Sequence, residues 1–351
     1  MQALETFLDD ILKEPLAAAR KADKPVGYVG LDLPLEIRFA SSQQFCHLPW
    51  NKEQATPHAD KWLESSFPGW ARSMVEDWIA GRFDLFESVI FTRGDDASQR
   101  LYYYLCELRN RGVTKGPEPV IFDVATIPRK TSVNHCINAI NRLMHTLGLT
   151  SADLEQGITR ANEYRQCFAG LRSQRTAPGQ LIENIARADL FCDLLPDLSA
   201  FDLPESNNDR GLVLAGSIPP DDSFQQAAEA CGWNIVGEVN QRSLSRYGAP
   251  IEVGADDPVT MIARRINDNP YGPRAFADRS ARLLAEVESS GAEAVVLWLT
   301  EDDEAQAWHV ASQRAALADR NIPALVMTRR RWDGQDDSIK HMTGFLQELS
   351  V

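Results

Sequence analysis

Residues 87–124, with the sequence ESVIFTRGDDASQRLYYYLCELRNRGVTKGPEPVIFDV, decide the fold class of this chain. Residues 87–92 are rich in β-branched and aromatic side chains and predict a strand, as do residues 119–124. Residues 97–111, between them, have the length and composition of a helix. A strand, a helix and a second strand in succession are typical of a right-handed crossover, so the segment predicts a parallel sheet.

The same alternation extends in both directions from this segment. Upstream, we predict helices over residues 4–22, near Pro34 and over residues 73–83, and strands over residues 25–30 and 45–48. Downstream, residues 132–195 have a helical pattern, and the polar, turn-rich residues 203–210 mark a domain boundary. A second series follows, with predicted strands over residues 211–215, 234–238, 294–299 and 324–328 and predicted helices over residues 223–231, 258–266, 274–289 and 304–320.

These patterns predict an α/β fold with two Rossmann-like parallel-sheet domains and a cleft between them. The predicted units are an N-terminal α/β domain over residues 1–150, a helical bridge over residues 151–203 and a C-terminal α/β domain over residues 204–351. The likeness of the two α/β units indicates an ancient duplication, although we find no direct sequence repeat. Ligands of such sheets bind beyond the carboxyl ends of the strands, so we expect functional residues directly after each strand.

The composition limits the classes of partner. The chain of 351 residues is 44% hydrophobic and 25% charged, as expected for a globular protein of two domains. Its 50 acidic residues outnumber its 36 basic ones, which gives a net charge of −14. Such a surface repels nucleic-acid backbones and anionic lipid, so we expect neither nucleic acid nor a membrane as a partner. An anionic CoA ester would need local arginines or helix N-termini.

The N-terminal region and the cysteines predict a cytoplasmic protein. The N-terminus lacks the basic start and apolar run of a signal peptide, and no segment approaches the roughly 20 apolar residues of a membrane span. The six cysteines are scattered, without a CxxC pair: Cys46, Cys106, Cys136, Cys167, Cys192 and Cys231. This pattern favours a reducing compartment and predicts no metal site held by this chain.

Two adjacent carboxylates, Asp95 and Asp96, follow the strand over residues 87–92. They are candidate catalytic residues, because a carboxylate pair can perform acid–base or metal chemistry. Alternatively, they are the N-cap and a first-turn acid of the next helix, where the helix dipole favours negative charge. The sequence contains no phosphate-binding loop, GxGxxG motif or GxSxG motif, so it lacks the common nucleotide and hydrolase fingerprints.

Several arginines near predicted strand or helix ends are candidate ligand-binding residues. Arg72 and Ser73 lie at a predicted helix start, and Arg100, Arg242 and Arg246 are similarly placed. If two or three of these guanidinium groups face one cleft, they would suit a CoA phosphate or an acyl carboxylate. As single exposed arginines, they would instead be solvated surface residues.

The order of the motifs resembles the family of 2-hydroxyacyl-CoA dehydratases, including the D-component of 2-hydroxyglutaryl-CoA dehydratase, and benzoyl-CoA reductases. The segments that carry the resemblance span most of the chain: GYVG at 27–30, LPLE at 33–36, ARS at 71–73, DDASQRLY at 95–102, Asp123 with PRK at 128–130, GS at 216–217 and SRY at 245–247. Ser245, beside Arg246 in the last of these segments, is a further candidate ligand-binding residue.

The departures from the family pattern concern its metal centre. Members of that family hold a [4Fe–4S] cluster in the cleft through three cysteines of each subunit, because thiolates donate strongly to iron. In this chain the first of these positions falls at Pro68 or Phe67, the second at Asp95 or Gly94, and the third near Arg242. The resemblance therefore implies a member that lacks the cluster ligands, with any [4Fe–4S] cluster on a partner subunit.

Three functional hypotheses follow. In the first, the chain is a cluster-free subunit of a dehydratase- or reductase-like heterodimer, contributes acyl-CoA binding or cleft architecture, and pairs with a cysteine-bearing paralogue. Such a complex would be a lyase or a CoA-ester reductase that receives electrons from an ATP-dependent activator. In the second, a non-redox scaffold protein of the same fold binds an acyl-CoA or another anion at Arg72, Arg100 and Arg246. In the third, a self-sufficient enzyme uses Asp95 and Asp96 for non-redox acid–base chemistry.

Overall fold

The computed structural model describes residues 2–125, 127, 129–173, 177–192, 203–242, 250–268 and 277–350. Within these residues the chain forms two four-stranded sheets, and every pair of neighbouring strands is parallel. The predicted α/β fold with two parallel-sheet units is thus confirmed. The predicted site residues Ser245 and Arg246 lie outside the described residues.

The N-terminal sheet has the strand order β2-β1-β3-β4. Its strands are β1 (Val26–Val29), β2 (Phe45–His47), β3 (Ser88–Thr92) and β4 (Glu118–Phe122). The accompanying helices are α1 (Gln2–Lys13), α2 (Ala17–Lys21), α3 (Leu35–Ala40), α4 (Gly69–Ile79) and α5 (Asp96–Asn110), with a 3₁₀ turn at Ala59–Lys61. The helix predicted over residues 4–22 is interrupted between α1 and α2, where Pro15 lacks the N–H that a continuous helix needs.

Three helices lead from this sheet to the second one: α6 (Lys130–Leu147), α7 (Ser151–Ser173) and α8 (Gly179–Ala188). Helix α6 ends at Gly148, which takes the left-handed conformation with φ of 67°. Helix α7 then begins with a reciprocal cap, in which the Asp153 carboxylate accepts the Thr150 N–H at 2.8 Å and the Thr150 hydroxyl accepts the Asp153 N–H at 3.3 Å.

The C-terminal sheet repeats the order of the first, with β6-β5-β7-β8. Its strands are β5 (Arg210–Gly216), β6 (Trp233–Val239), β7 (Ala294–Thr300) and β8 (Ala324–Arg330). Its described helices are α9 (Ser223–Ala230), α10 (Pro258–Asp268), α11 (Arg279–Ser290), α12 (Glu304–Ala307), α13 (Val310–Asp319) and α14 (Ser338–Glu348). The single helix predicted over residues 304–320 is therefore wrong, since α12 and α13 are separate helices, and α14 is not predicted.

Both sheets are covered on two faces, as parallel sheets require. Strands β1 and β7 are buried along their whole length. Consecutive residues Ile90 and Phe91 of β3 belong to apolar clusters on opposite faces of the N-terminal sheet, and Val296 and Leu297 of β7 do the same in the C-terminal sheet. Burial of each such side chain contributes about 1.5–3 kcal/mol to the free energy of unfolding.

The two halves also meet outside the bridge. Helix α10 packs on α6 and α7, and its Ile262 joins the cluster beneath β1 and β2, so we count α10 with the N-terminal lobe. Lys52 of the N-terminal lobe forms an ion pair with Asp221 of the C-terminal lobe. The indole of Trp332, which follows β8, lies against Gly69 at the start of α4. These contacts hold the two lobes together beside their strand ends.

Candidate functional site

An aspartate–threonine pair occupies the carboxyl ends of β1 and β3. These strands are neighbours, with Val29 opposite Phe91, and the hydroxyl of Thr92 donates a hydrogen bond to Oδ1 of Asp32. A sheet of this strand order has its topological switch point between β1 and β3, which is where α/β proteins bind ligands. Asp32 is not among the residues that the sequence predicts for the site. Its position directly after β1 is the signal that could have identified it.

Two glycines make room for this pair. Gly30 has φ of 94°, and a Cβ atom there would lie 1.9 Å from Oγ1 of Thr92. A Cβ atom at Gly94 would lie 2.4 Å from Oδ1 of Asp32. Because no side chain fits at either position, the close approach of Asp32 and Thr92 depends on both glycines.

The second carboxylate oxygen of Asp32, Oδ2, is buried and has no hydrogen-bond partner in the part of the chain that the structure describes. Burial raises the pKa of Asp32 from the usual 3.8 to about 6, and the charge of Asp95 adds to the rise, whereas the hydrogen bond from Thr92 opposes it. Asp32 therefore changes its protonation state close to neutral pH. Strongly shifted carboxyl groups of this kind are frequent at functional sites.

Asp95 is the N-cap of α5, so the structure shows one of the two roles that the sequence left open. Its carboxylate accepts hydrogen bonds from the Ser98 N–H at 2.7 Å and the Ser98 hydroxyl at 2.6 Å. Burial raises the pKa of Asp95, and the charges of Asp96 and Asp303 raise it further. Asp96 is exposed and lies 3.6 Å from Arg100, one turn along the helix. The catalytic roles of Asp95 and Asp96 stay predictions.

The C-terminal lobe has a similar arrangement at β5 and β7. Gly216 ends β5 with φ of 111°, and a Cβ atom there would lie 2.3 Å from the Trp298 carbonyl oxygen. The hydroxyl of Ser217 lies 3.3 Å from that of Thr300 and donates to Asp303 at 2.8 Å. Asp303 caps α12, as Asp95 caps α5. The Asp303 charge acts on Asp95, so the two helix-capping carboxylates lie near each other.

The two arrangements share a short sequence repeat. Residues 92–98 are TRGDDAS and residues 300–306 are TEDDEAQ, so both contain a threonine, an aspartate three positions later and an alanine two positions after that. In each lobe the threonine ends the third strand and the aspartate caps the next helix. The repeat supports the predicted duplication, and it is hard to recognise in the sequence because its matching positions are few and separated.

Three predicted ligand-binding residues of the N-terminal lobe are engaged with neighbouring groups. Arg72 pairs with Asp60 at 2.5 Å and also donates to the Glu64 and Phe67 carbonyls. Arg100 pairs with Glu64 at 2.8 Å and lies over the Phe67 ring, 4.2 Å from its centroid. Ser73 donates to the Gln54 side-chain oxygen and accepts the Asn51 N–H. Arg72 and Arg100 thus lie close to each other, around residues 60–67, and both are neutralised by acidic side chains.

Arg242, which follows β6, is almost completely buried. It forms an ion pair with Glu183 of α8 and lies 3.7 Å from Glu238 of β6. Burial raises the pKa of Glu183 to about 7, because one guanidinium must balance two carboxylates away from water. Of the predicted ligand-binding residues in the C-terminal lobe, only Arg242 lies within the described residues.

The positions where the resemblance implies cluster ligands do not fit an iron–sulfur cluster. Pro68 is the N-cap of α4, Asp95 is engaged with Ser98, and Arg242 is paired with carboxylates. None of these side chains supplies the thiolate that such a cluster needs. The six cysteines are buried or half-buried thiols outside any disulfide, and the described residues contain no group of three potential metal ligands.

A small cavity adjoins the switch point of the N-terminal lobe. Both neighbours of Asp32 line it, together with Arg242 and buried polar side chains; the lining residues are Tyr28, Leu31, Leu33, Leu35, Arg38, Tyr164, Leu190 and Arg242. Arg38 donates to the Asp189 carbonyl at 2.8 Å, so its charge is partly engaged.

Of the helices that the structure describes, none has both the length and the apolar character that crossing a membrane requires.

These observations define a two-lobed α/β protein that carries acidic and hydroxyl side chains at the switch points of two parallel sheets. Residues 31–343 match the family model of the 2-hydroxyglutaryl-CoA dehydratase D-component, and the chain belongs to this family. The match confirms the resemblance found in the order of the sequence motifs. The comparison with curated proteins gave no significant match.

Proposed function

We propose that this chain is a cluster-free subunit of a 2-hydroxyacyl-CoA dehydratase-like or benzoyl-CoA reductase-like complex. The observation that carries the proposal is the chemistry at the positions matched to cluster cysteines. Pro68 begins a helix, Asp95 caps a helix, and Arg242 lies in a buried ion-pair network. Each residue lacks sulfur and has a structural role in the fold, which supports a stable replacement of the cluster ligands.

The partner in this proposal is a cysteine-bearing paralogue. A family described as one component of a dehydratase implies a partner component. In the proposed heterodimer the paralogue holds the [4Fe–4S] cluster, and an ATP-dependent activator supplies electrons to it. The complex is then a lyase or a CoA-ester reductase, and this chain contributes no metal ligand to it.

The contribution of this chain is the wall of the cleft rather than an anchor for CoA phosphates. Arg72 and Arg100 are paired with Asp60 and Glu64, so they would have to exchange these partners to bind a phosphate. The carboxyl ends of the strands instead carry the acidic and hydroxyl groups at the two switch points, including Asp32. The net charge of −14 acts in the same direction.

Affinity purification from the native host tests this proposal. We expect the tagged chain to retain a paralogue with intact cysteines, and we expect iron and sulfide in the complex to disappear when the paralogue is removed. The paralogue purified alone serves as the control, because it should retain iron. Stoichiometric iron on the isolated chain, or purification without any paralogue under mild conditions, would contradict the proposal.

A non-redox scaffold that binds an acyl-CoA or another anion is the second candidate function, and Arg279 favours it. This residue begins α11, is half-buried and forms no hydrogen bond or ion pair with the described residues. Burial lowers the pKa of Arg279, although the Asp303 charge opposes this effect. Calorimetry with acetyl-CoA should then give a heat that Arg279→Gln removes and that Arg314→Gln, an exposed control, retains. The absence of heat with the wild type would exclude this function for acetyl-CoA.

A further inference from the structure

We propose that Asp32, Thr92 and Asp95 form a ligand-binding site for an uncharged oxygen, either a hydroxyl or a carbonyl group, at the switch point of the N-terminal sheet. The choice of an acyl thioester as ligand rests on the proposed function. The site itself rests on the geometry of the described residues.

The backbone is shaped around the Asp32–Thr92 contact. Gly30 and Gly94 approach this pair so closely that a Cβ atom at either position would lie within 2.4 Å of one of its oxygen atoms. Gly30 also requires a positive φ of 94°, which side chains disfavour. A surface hydrogen bond of no functional importance would not need two positions, Gly30 and Gly94, at which no side chain fits.

One oxygen atom of the site is available to a ligand. Thr92 satisfies Oδ1 of Asp32, whereas Oδ2 is buried and has no hydrogen bond of good geometry with the described residues, although the backbone N–H groups of Asp32 and Gly94 lower the pKa of this carboxyl group. Buried polar atoms nearly always have a hydrogen-bond partner, so an orphaned atom at a switch point indicates a group that binds from outside the chain. When Asp32 is ionised it can accept a hydrogen bond from a hydroxyl group, and when it is protonated it can donate one to a carbonyl oxygen.

The surrounding charges select an uncharged ligand group. The negative charge of Asp95 raises the pKa of Asp32, and the negative charges of Asp96 and Asp303 raise the pKa of Asp95. Two described cations lie near this group, but the carboxylates outnumber them: Arg100 pairs with Asp96, and the charge of Asp303 acts on Arg279. Anionic groups are therefore repelled. A metal ion is disfavoured as well, because the described residues contain no group of three potential metal ligands.

Nuclear magnetic resonance of the protein, labelled with carbon-13 at the aspartate carboxyl groups, tests the site directly. The probe is the N-acetylcysteamine thioester of lactic acid, which carries a hydroxyl and a carbonyl group but none of the CoA phosphates. We expect one carboxyl resonance to titrate near pH 6, to be absent from Asp32→Asn, and to shift when the thioester is added. Asp319→Asn, an exposed aspartate in α13, is the matched control and should behave like the wild type.

The wild-type response does not depend on whether a variant folds. The proposal would be overturned if the Asp32 carboxyl resonance does not shift at the solubility limit of the thioester. It would also be overturned if sodium lactate or magnesium chloride shifts this resonance as much as the thioester does. Failure of a paralogue to co-purify would contradict the proposed function and leave the thioester-induced shift unaffected. The two proposals can therefore fail separately.

Discussion

Asp32 is held where its ionised form is disfavoured. Its pKa of about 6 exceeds the usual 3.8, so the folded protein binds this proton more tightly than the unfolded chain does. The stabilising contribution of the group is complete below about pH 4 and is lost as the pH rises to about 6. At pH 8 we expect the free energy of unfolding of Asp32→Asn to exceed that of the wild type by up to about 3 kcal/mol. At pH 5.5 we expect this excess to be smaller by about 1 kcal/mol.

Urea unfolding at the two pH values measures this difference. The Asp319→Asn variant removes an exposed carboxylate and controls for the change in net charge. Two results would show that the surroundings of Asp32 do not disfavour its charge. In the first, Asp32→Asn is less stable than the wild type at pH 8. In the second, the difference in free energy of unfolding between the two proteins does not change with pH.

Single residues also show what the sequence can and cannot predict about the site. The role of Asp95 as an N-cap follows from local pattern, because an aspartate directly before a helical run satisfies the first N–H groups of that helix. The role of Asp32 depends on the register between β1 and β3 and on the positive φ of Gly30, neither of which is encoded in local spacing. The likeness of Asp95 and Asp303 becomes evident only when both sheets are aligned strand by strand.

At the scale of elements, the packing of α8 against β6 depends on the ion pair between Glu183 and Arg242. Removal of one buried partner leaves the other charge uncompensated, which typically costs about 3–5 kcal/mol. We expect Arg242→Met to lose stability of this order at pH 7, and we expect the double variant Glu183→Gln with Arg242→Met to recover part of it, because Glu238 keeps its charge. Urea unfolding of the two single variants and the double variant gives the coupling energy.

The outcome of this cycle separates two roles of Arg242. A strong coupling shows that the arginine holds α8 to β6. Additive losses, with no recovery in the double variant, would contradict that role and favour the predicted binding of a ligand at Arg242. Glu107→Gln on the exposed face of α5 serves as the control, since its ion pair with Arg111 is solvated and contributes little.

Strands and helices differ in how well the sequence predicts them. The eight described strands are predicted closely, because each is a short apolar run between polar or turn-forming residues. The boundary between α12 and α13 is missed because residues 304–320 contain no glycine or proline to mark it. Helix α10 lies between β6 and β7 in the chain, yet it packs on the first lobe, which only tertiary contacts can show.

At the scale of the whole molecule, the orientation of the lobes depends on contacts between distant residues. Lys52 and Asp221 are 169 positions apart, and Trp332 reaches Gly69 from the opposite end of the chain. No local pattern predicts such pairs, so the sequence predicts two sheets and a cleft but not the residues that close it. Trp332 also covers the start of α4, next to Pro68, where the resemblance implies the first cluster cysteine.

The contact between Trp332 and Gly69 can be tested by making Gly69 larger. A Cβ atom at Gly69 would lie 1.6 Å from Nε1 of Trp332, so Gly69→Ala must displace the indole from the lobe interface. We expect this substitution to cost about 1–3 kcal/mol in the free energy of unfolding, as overpacking usually does. In a Trp332→Ala background the same substitution should be neutral or favourable by up to about 1 kcal/mol, because alanine is a better helix former than glycine.

Urea unfolding of this four-member cycle measures the effect, and Gly344→Ala in α14, where a Cβ atom meets nothing within 4 Å, is the matched control. X-ray scattering adds a readout that stability lacks, since displacement of Trp332 should increase the radius of gyration of Gly69→Ala but not of Gly344→Ala. An equal loss of stability in both backgrounds would mean that Gly69 matters for the start of α4 alone. Other contacts would then hold the lobes together. In that case the contact of Trp332 with Gly69, next to Pro68, would have no part in holding the lobes closed.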